Sequence, residues 1–320
     1  MRGGPVSEYA VGIDLGGTNL RVAAFGRDGT ILEKLSVPTN IEAGREALME
    51  SIAAGTEKVT RTHGAGKLVG VGIGVPGFIL LEKGIVTHSP NLAGLENFPM
   101  RDDLARRIGR RVVLENDANA AALGEKWMGA GRQVTDLVLL TLGTGVGGGI
   151  ISGGKILHGF VGMAGELGHI TVEPHGGALC GCGNYGCLEA QASATAVVRM
   201  AHAAIQAGRS EALARHADDM TSARVYEVAV AGDSEARSIF ERMGRYLGLG
   251  LADLINTFNF PLYLLGGGAL AAWDLFAPPM LDEVRRRSFT FRRTDTRIEK
   301  AELGDLAGLY GAAYVVLTGH

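Results

Sequence analysis

The stretch Val11-Gly-Ile-Asp-Leu-Gly-Gly-Thr-Asn19 runs into an apolar segment at 20–25. The pattern returns as Leu137-Val-Leu-Leu-Thr-Leu-Gly-Thr-Gly145, followed by a second such segment at 146–152. Each copy reads as a buried strand, a Gly/Thr turn and a returning strand. A repeat of this unit predicts two related domains facing one another across a cleft. Strands alternate with helices around both copies, which makes each half α/β. Strands are expected at 11–15, 20–25, 31–37, 68–75, 111–114, 137–142, 148–152 and 262–265. Helices are expected at 42–61, 117–128 and 305–317, and through most of 192–256, with breaks near Gly208 and Gly232. The expected division is a small α/β domain of residues 1–117 plus 306–320 and a large α/β domain of residues 118–305. No polar linker marks the boundary between them.

The 49 glycines stand between apolar runs, which points to tight turns and close backbone approaches rather than low complexity. A net charge of −3 supplies no field for a polyphosphate backbone, so nucleic acid is excluded as a main partner. Arg285-Arg-Arg287 and Arg292-Arg293 read as a solvated face. Two charge-free stretches, 137–154 and 254–273, are broken by glycines and, in the second, by Asn256, Asn259 and Pro261. They read as buried strands joined by turns, not as membrane spans. No export signal is visible. The three cysteines fall within eight positions, a poor disulfide framework, and the expected compartment is the reducing cytoplasm.

Asp14-Leu-Gly-Gly-Thr18 and Leu142-Gly-Thr-Gly145 both follow apolar strands. Glycine lets backbone N–H groups approach phosphate oxygens, and Thr18 and Thr144 add hydroxyl donors. Asp14 offers oxygen to Mg²⁺, directly or through water. The pattern G-x-G-x-x-G occurs at 72–77, 143–148 and 181–186; the first holds Pro76-Gly77 with no clear helix after it, the second runs into another strand, and the third contains cysteines, so none reads as a dinucleotide fingerprint. A nicotinamide-dependent oxidoreductase is therefore a distant alternative, and no P-loop motif is present. In Glu115-Asn-Asp-Ala-Asn119, Asp117 stands where a strand meets an Ala-rich helix. It reads both as a helix cap and as a general base for an attacking hydroxyl, and the two roles are compatible. Cys180, Cys182 and Cys187 with one histidine make a Cys₃His set, the composition of a closed structural zinc site. His169 is the preferred fourth ligand and His175 the competitor. A metal holding His169 would also hold neighbouring Glu166 and Glu189, carboxylates suited to sugar hydroxyls.

Together these residues closely resemble the ROK family of bacterial sugar kinases and sugar-responsive repressors. The resemblance runs from Asp14 to Gly266-Gly-Gly268, and the Glu166…His169…Cys180-x-Cys182-x₄-Cys187-Leu-Glu189 block looks like its ATP-dependent glucokinase branch. It implies an actin-like (ribonuclease H-like) duplicated two-domain ATPase fold whose cleft closes on sugar, and a homodimer or larger homo-oligomer. It implies phosphorylation of glucose at the 6-hydroxyl with ATP, Mg²⁺ and a structural Zn²⁺. Other hexoses or N-acetylhexosamines such as N-acetylglucosamine and N-acetylmannosamine are the alternative acceptors. By motif, Asp117 would be the catalytic base, and Asn91, Asn116, Asp117, Glu166, His169 and Glu189 would bind the sugar. His169 would also ligate zinc through its other nitrogen. Gly16, Gly17, Thr18, Thr144 and Gly145 would cradle phosphates, and Gly267 would lie near the adenosine. The family's repressors carry an N-terminal helix-turn-helix, and the segment before Asp14 is too short for one, so a non-catalytic sugar sensor is the distant alternative.

Overall fold

The computed structural model describes residues 8–16, 19–89, 92 and 94–319. The chain begins with the antiparallel meander β1 (Tyr9–Leu15), β2 (Asn19–Gly26) and β3 (Ile31–Pro38). Next come α1 (Arg45–His63), β4 (Leu68–Val75), a hairpin of β5 (Phe78–Leu80) and β6 (Ile85–His88), α2 (Met100–Ile108), β7 (Val112–Asn116) and α3 (Asp117–Met128). The second copy of the repeat supplies β8 (Leu137–Leu142), β9 (Val146–Ser152) and β10 (Lys155–Ile156). Five helices follow: α4 (Leu188–Ala192), α5 (Ala194–Gln206), α6 (Glu211–Ala214), α7 (Ser222–Val230) and α8 (Ser234–Phe258). Then come β11 (Leu262–Gly266), α9 (Trp273–Arg287), β12 (Arg297–Lys300) and α10 (Ala307–Thr318).

The duplication read from the sequence is present in the topology. One sheet runs β3-β2-β1-β4-β7 and the other β10-β9-β8-β11-β12, so each takes its strands in the order third, second, first, fourth, fifth. In both, the strand before the Gly/Thr turn is central, with an antiparallel hairpin on one side and parallel strands on the other. The inner strands β1, β4 and β11 are buried almost throughout, as strands covered on both faces require. Among the described residues, no helix is long and apolar enough to cross a membrane.

The chain divides into two compact units: residues 1–136, 149–165 and 301–320 form one, and residues 137–148 and 166–300 the other. The boundary expected near 117 is therefore misplaced, because α3 stays with the first unit. Its partner is α10, and the two helices meet backbone to backbone. A Cβ at Gly311 would overlap the carbonyl of Ala120, and one at Gly124 would overlap that of Ala307. The other side of α10 lies on the sheet in the same way, with Gly12 against Leu309 and Gly72 against Ala312. Fully buried Glu125, near the end of α3, draws residues 302–303 into this unit by accepting the amides of Glu302 (3.1 Å) and Leu303 (2.7 Å).

Two effects oppose each other at Gly311. Alanine favours a helix by about 1 kcal/mol, but its methyl would drive α10 off the Ala120 carbonyl, an overpacking penalty of about 3 kcal/mol. Gly311→Ala should therefore lower the melting temperature by several degrees, on the order of 4–8 °C for a net loss of about 2 kcal/mol. Gly66→Ala, where a methyl meets nothing within 4 Å, should leave it unchanged. Calorimetry on the two variants checks the contrast.

The second unit uses the same device. Gly244 and Gly248 of α8 take the carbonyls of Phe276 and Met280 of α9. Helix α9 continues through Pro278-Pro279, which a sequence pattern would read as a stop. The arginines of its last turn form a solvated, locally paired face: Arg285 with Asp282 at 3.1 Å, Arg286 with Glu283 at 2.6 Å, and Arg287 also with Glu283.

Candidate functional site

In the first unit, β1 delivers Asp14 to the start of the first Gly/Thr turn. Arg21, opposite it on β2, pairs with the carboxylate at 2.8 Å and also donates to the carbonyl of Asp305 at 3.0 Å. Burial raises the Asp14 pKa above the usual carboxylate value; Arg21 opposes that shift and Asp305 adds to it. The carboxylate faces the first turn of α10, where a Cβ at Gly308 would stand 3.2 Å from its Oδ1. Gly16 donates its amide to the carbonyl of Asn19 at 3.2 Å, closing the turn. Gly17, Thr18 and Asn91 lie outside the described residues.

At the junction of β7 and α3, the helix cap is Asn116 rather than Asp117. Asn116 Oδ1 accepts the amides of Ala118 (3.0 Å) and Asn119 (3.1 Å), while its Nδ2 donates to the carbonyl of Gly77 at 3.3 Å. Asp117 is the first helical residue, half-buried, with Oδ1 accepting its neighbour's amide at 2.9 Å. A helix N-terminus favours negative charge at this position. Beneath it lies a pair that no motif reveals. Glu115, 3% exposed, accepts from His158 Nε2 at 2.8 Å. That hydrogen bond raises the His158 pKa above the usual imidazole value against the opposing effect of burial.

In the second unit, the Leu142–Val146 turn is closed by the Gly143 amide on the carbonyl of Gly145 (3.0 Å) and by Thr195 Oγ1 on the carbonyl of Thr144 (2.7 Å). Thr144 is exposed, and a Cβ at Gly143 would meet nothing within 4 Å, so this backbone is open to a ligand. Gly267, at φ 90°, follows β11 and crosses the carbonyl of Leu142, a place only glycine can take. Glu189, in the first turn of α4, accepts the Val146 amide through Oε2 at 3.1 Å. Its other oxygen lies 3.5 Å from Cys180 Sγ, so one carboxylate joins the Gly/Thr turn to the thiols.

The ligand atoms of His169, Cys180, Cys182 and Cys187 all lie within 4.8 Å of one another. The knuckle is closed by the Cys180 amide on Asn184 (2.8 Å) and the Gly183 amide on Cys180 (3.0 Å), with Gly183 and Gly186 at positive φ. His169 presents Nδ1 to Cys180 Sγ at 3.5 Å and Nε2 to Glu166 at 3.9 Å, so its two nitrogens face two different environments. His175 is exposed and lies outside the set. Burial pushes the Cys180 thiol up to about 12, and a cation would have to offset that to hold a thiolate. Burial also raises the Glu166 pKa, with Glu189 adding to the shift and His169 opposing it.

Known proteins carry the same frame. The chain is 39% identical over 313 residues to a glucokinase of Halalkalibacterium halodurans, covering 96% of this chain and 94% of that one. A ROK hexokinase from Thermus thermophilus superposes with a TM-score of 0.85 at 37% identity, over 98% of this chain and 100% of the other. A ROK family glucokinase from Streptomyces griseus, crystallised with glucose and AMPPNP, superposes with a TM-score of 0.81 at 35% identity, over 96% and 98%. The ROK family model itself matches residues 10–318, from the first repeat strand through the last helix, and the chain belongs to the ROK family.

Proposed function

We propose that this protein transfers the γ-phosphoryl group of ATP to the 6-hydroxyl of glucose. The observation that carries this reading is near-full-length likeness to glucokinases, one of them crystallised with glucose and AMPPNP. The local geometry supports it. Phosphoryl transfer asks little covalent chemistry of a protein and much positioning and charge neutralisation. Asp117 is assigned as the base that accepts the hydroxyl proton. Glu166, His169 through Nε2, Glu189, Asn116 and Asn91 are assigned to sugar hydroxyls. The cap uses Asn116 Oδ1, and with one Nδ2 hydrogen on the Gly77 carbonyl the second remains for that purpose.

Gly16, Gly17, Thr18, Thr144 and Gly145 are assigned to the phosphates, and Gly267 to the adenosine side. The open backbone at Gly143 and Thr144 fits an anionic ligand. Asp14 fits Mg²⁺ by its oxygen donors, and the ion when bound would neutralise phosphate charge. The thiol–imidazole set fits Zn²⁺, which would supply a closed structural cross-link through His169, Cys180, Cys182 and Cys187. A homodimer or larger homo-oligomer and a cytoplasmic location belong to the same proposal.

The test is ADP release from Mg-ATP by purified protein with glucose, N-acetylglucosamine, N-acetylmannosamine, mannose and fructose. Strong turnover on glucose is expected. Turnover on an N-acetylated sugar alone would move the acceptor and leave Asp117 its role, whereas silence across the panel would favour a sugar sensor.

A further inference from the structure

We propose that His158 is a positioning residue for Asp117: through Glu115 it holds the turn from β7 into α3 in the shape that aims the base. The proposal rests on the phosphoryl-transfer reading of Asp117.

Both oxygens of the buried Glu115 carboxylate are engaged. Oε1 accepts the Asn116 amide at 2.9 Å and Asn119 Nδ2 at 3.1 Å; Oε2 accepts from His158 Nε2 at 2.8 Å. Residues 116 and 119 bracket Asp117, so the carboxylate's orientation governs the backbone on either side of the base. Asn119 turns its amide nitrogen to Glu115 and leaves Oδ1 buried without a partner, so the hydrogen bond to Glu115 is what orients this side chain.

His158 comes from a distant, well-braced segment. The Leu157 amide donates to Ile150 at 2.8 Å, the Ala164 amide returns to the His158 carbonyl at 3.0 Å, and Gly159 at φ 70° lets the loop fold back on Ala164. The imidazole is thus offered from a fixed backbone. Its raised pKa agrees with a donor held against a carboxylate. Removing it leaves Oε2 buried and unserved. A carboxylate in that state rotates or admits water, and either change releases its hold on residues 116 and 119. Because the Asp117 carboxylate is itself tied to the Ala118 amide, the base moves with the backbone.

The experiment compares His158→Ala and His158→Gln in the full chain, by amide hydrogen exchange over residues 114–122 and by steady-state kinetics. For the alanine variant, kcat should fall roughly 10–10²-fold, the scale of a small misplacement, with KM for both substrates within about twofold. Exchange over 114–122 should quicken roughly tenfold as the junction opens locally. Glutamine carries a donor near the position of Nε2 and should recover most of both losses. Unchanged kcat in the alanine variant would overturn the proposal, as would equal losses in both variants or a rise in KM with kcat intact. An inactive wild type would instead refute the phosphoryl-transfer reading, and exchange would then decide whether His158 holds the junction: unchanged exchange overturns it.

Discussion

Asp117→Asn is expected to lower turnover roughly 10²–10⁴-fold, the range for loss of a general base, while the fold and glucose affinity stay intact. The substitution is nearly isosteric. The helix cap belongs to Asn116, so α3 keeps its N-terminal hydrogen bonds. The amide oxygen of an asparagine can still accept from Ala118, as Oδ1 does in the native chain. What disappears is the basic oxygen that takes the proton as the new O–P bond forms. The loss belongs in kcat, because proton transfer occurs in the transition state and not in the ground-state complex. Kinetics combined with calorimetric glucose binding separate the two. A variant that keeps most of its turnover refutes the assignment; one that loses glucose binding makes Asp117 chiefly a sugar ligand.

The second large effect is expected at Cys182, the exposed member of the thiol set. Cys182→Ser should abolish stoichiometric zinc, measured by elemental analysis, and weaken glucose binding roughly 10–10²-fold, the scale for losing groups that orient a site through its metal. The coupling follows from the geometry. His169 belongs to the thiol set and also faces Glu166, while Glu189 lies between Cys180 and the amide of Val146. Metal binding and the folding of such a loop are one free energy, so both assigned sugar contacts loosen when the knuckle opens. Limited proteolysis should then cut near 176–186 in the variant and not in the native protein. Normal zinc content and glucose affinity in Cys182→Ser would disprove the ligand set.

Much of this was legible in the chain. The central strands β1, β4, β8 and β11 are apolar runs long enough to be recognised alone, and the repeat of β1–β2 in β8–β9 announced the duplicated sheet order. The three cysteines were legible from their spacing as a candidate set, but spacing left both His169 and His175 open as the fourth member, and it is the fold that brings His169 beside them. Other elements carry no such signal. Helix α2, Met-Arg-Asp-Asp-Leu-Ala-Arg-Arg-Ile, is mostly charged, and β12, Arg-Ile-Glu-Lys, is an edge strand without a buried face. Helix α9 is hidden by its two prolines, and α3 was assigned to the wrong unit because contact with α10 depends on glycines nearly 200 positions apart. Asn116 and Asp117 cap helices about equally well, so composition does not decide between them. The Glu115–His158 pair lay beyond reach because its partners are 43 positions apart and only Glu115 belongs to a motif.

The glycine contacts of α10 also bear on the order in which the protein can be made. Helix α10 covers Gly12 and Gly72 of the first sheet, yet it is translated after every other described element. While the ribosome works through residues 137–300, β1 and β4 wait with one face bare, and the intervening unit can complete its own core first. Chains normally fold from the N-terminus onward during synthesis. Here the unit begun first is finished last, and a nascent chain stalled before residue 307 exposes an apolar sheet to chaperones and to aggregation.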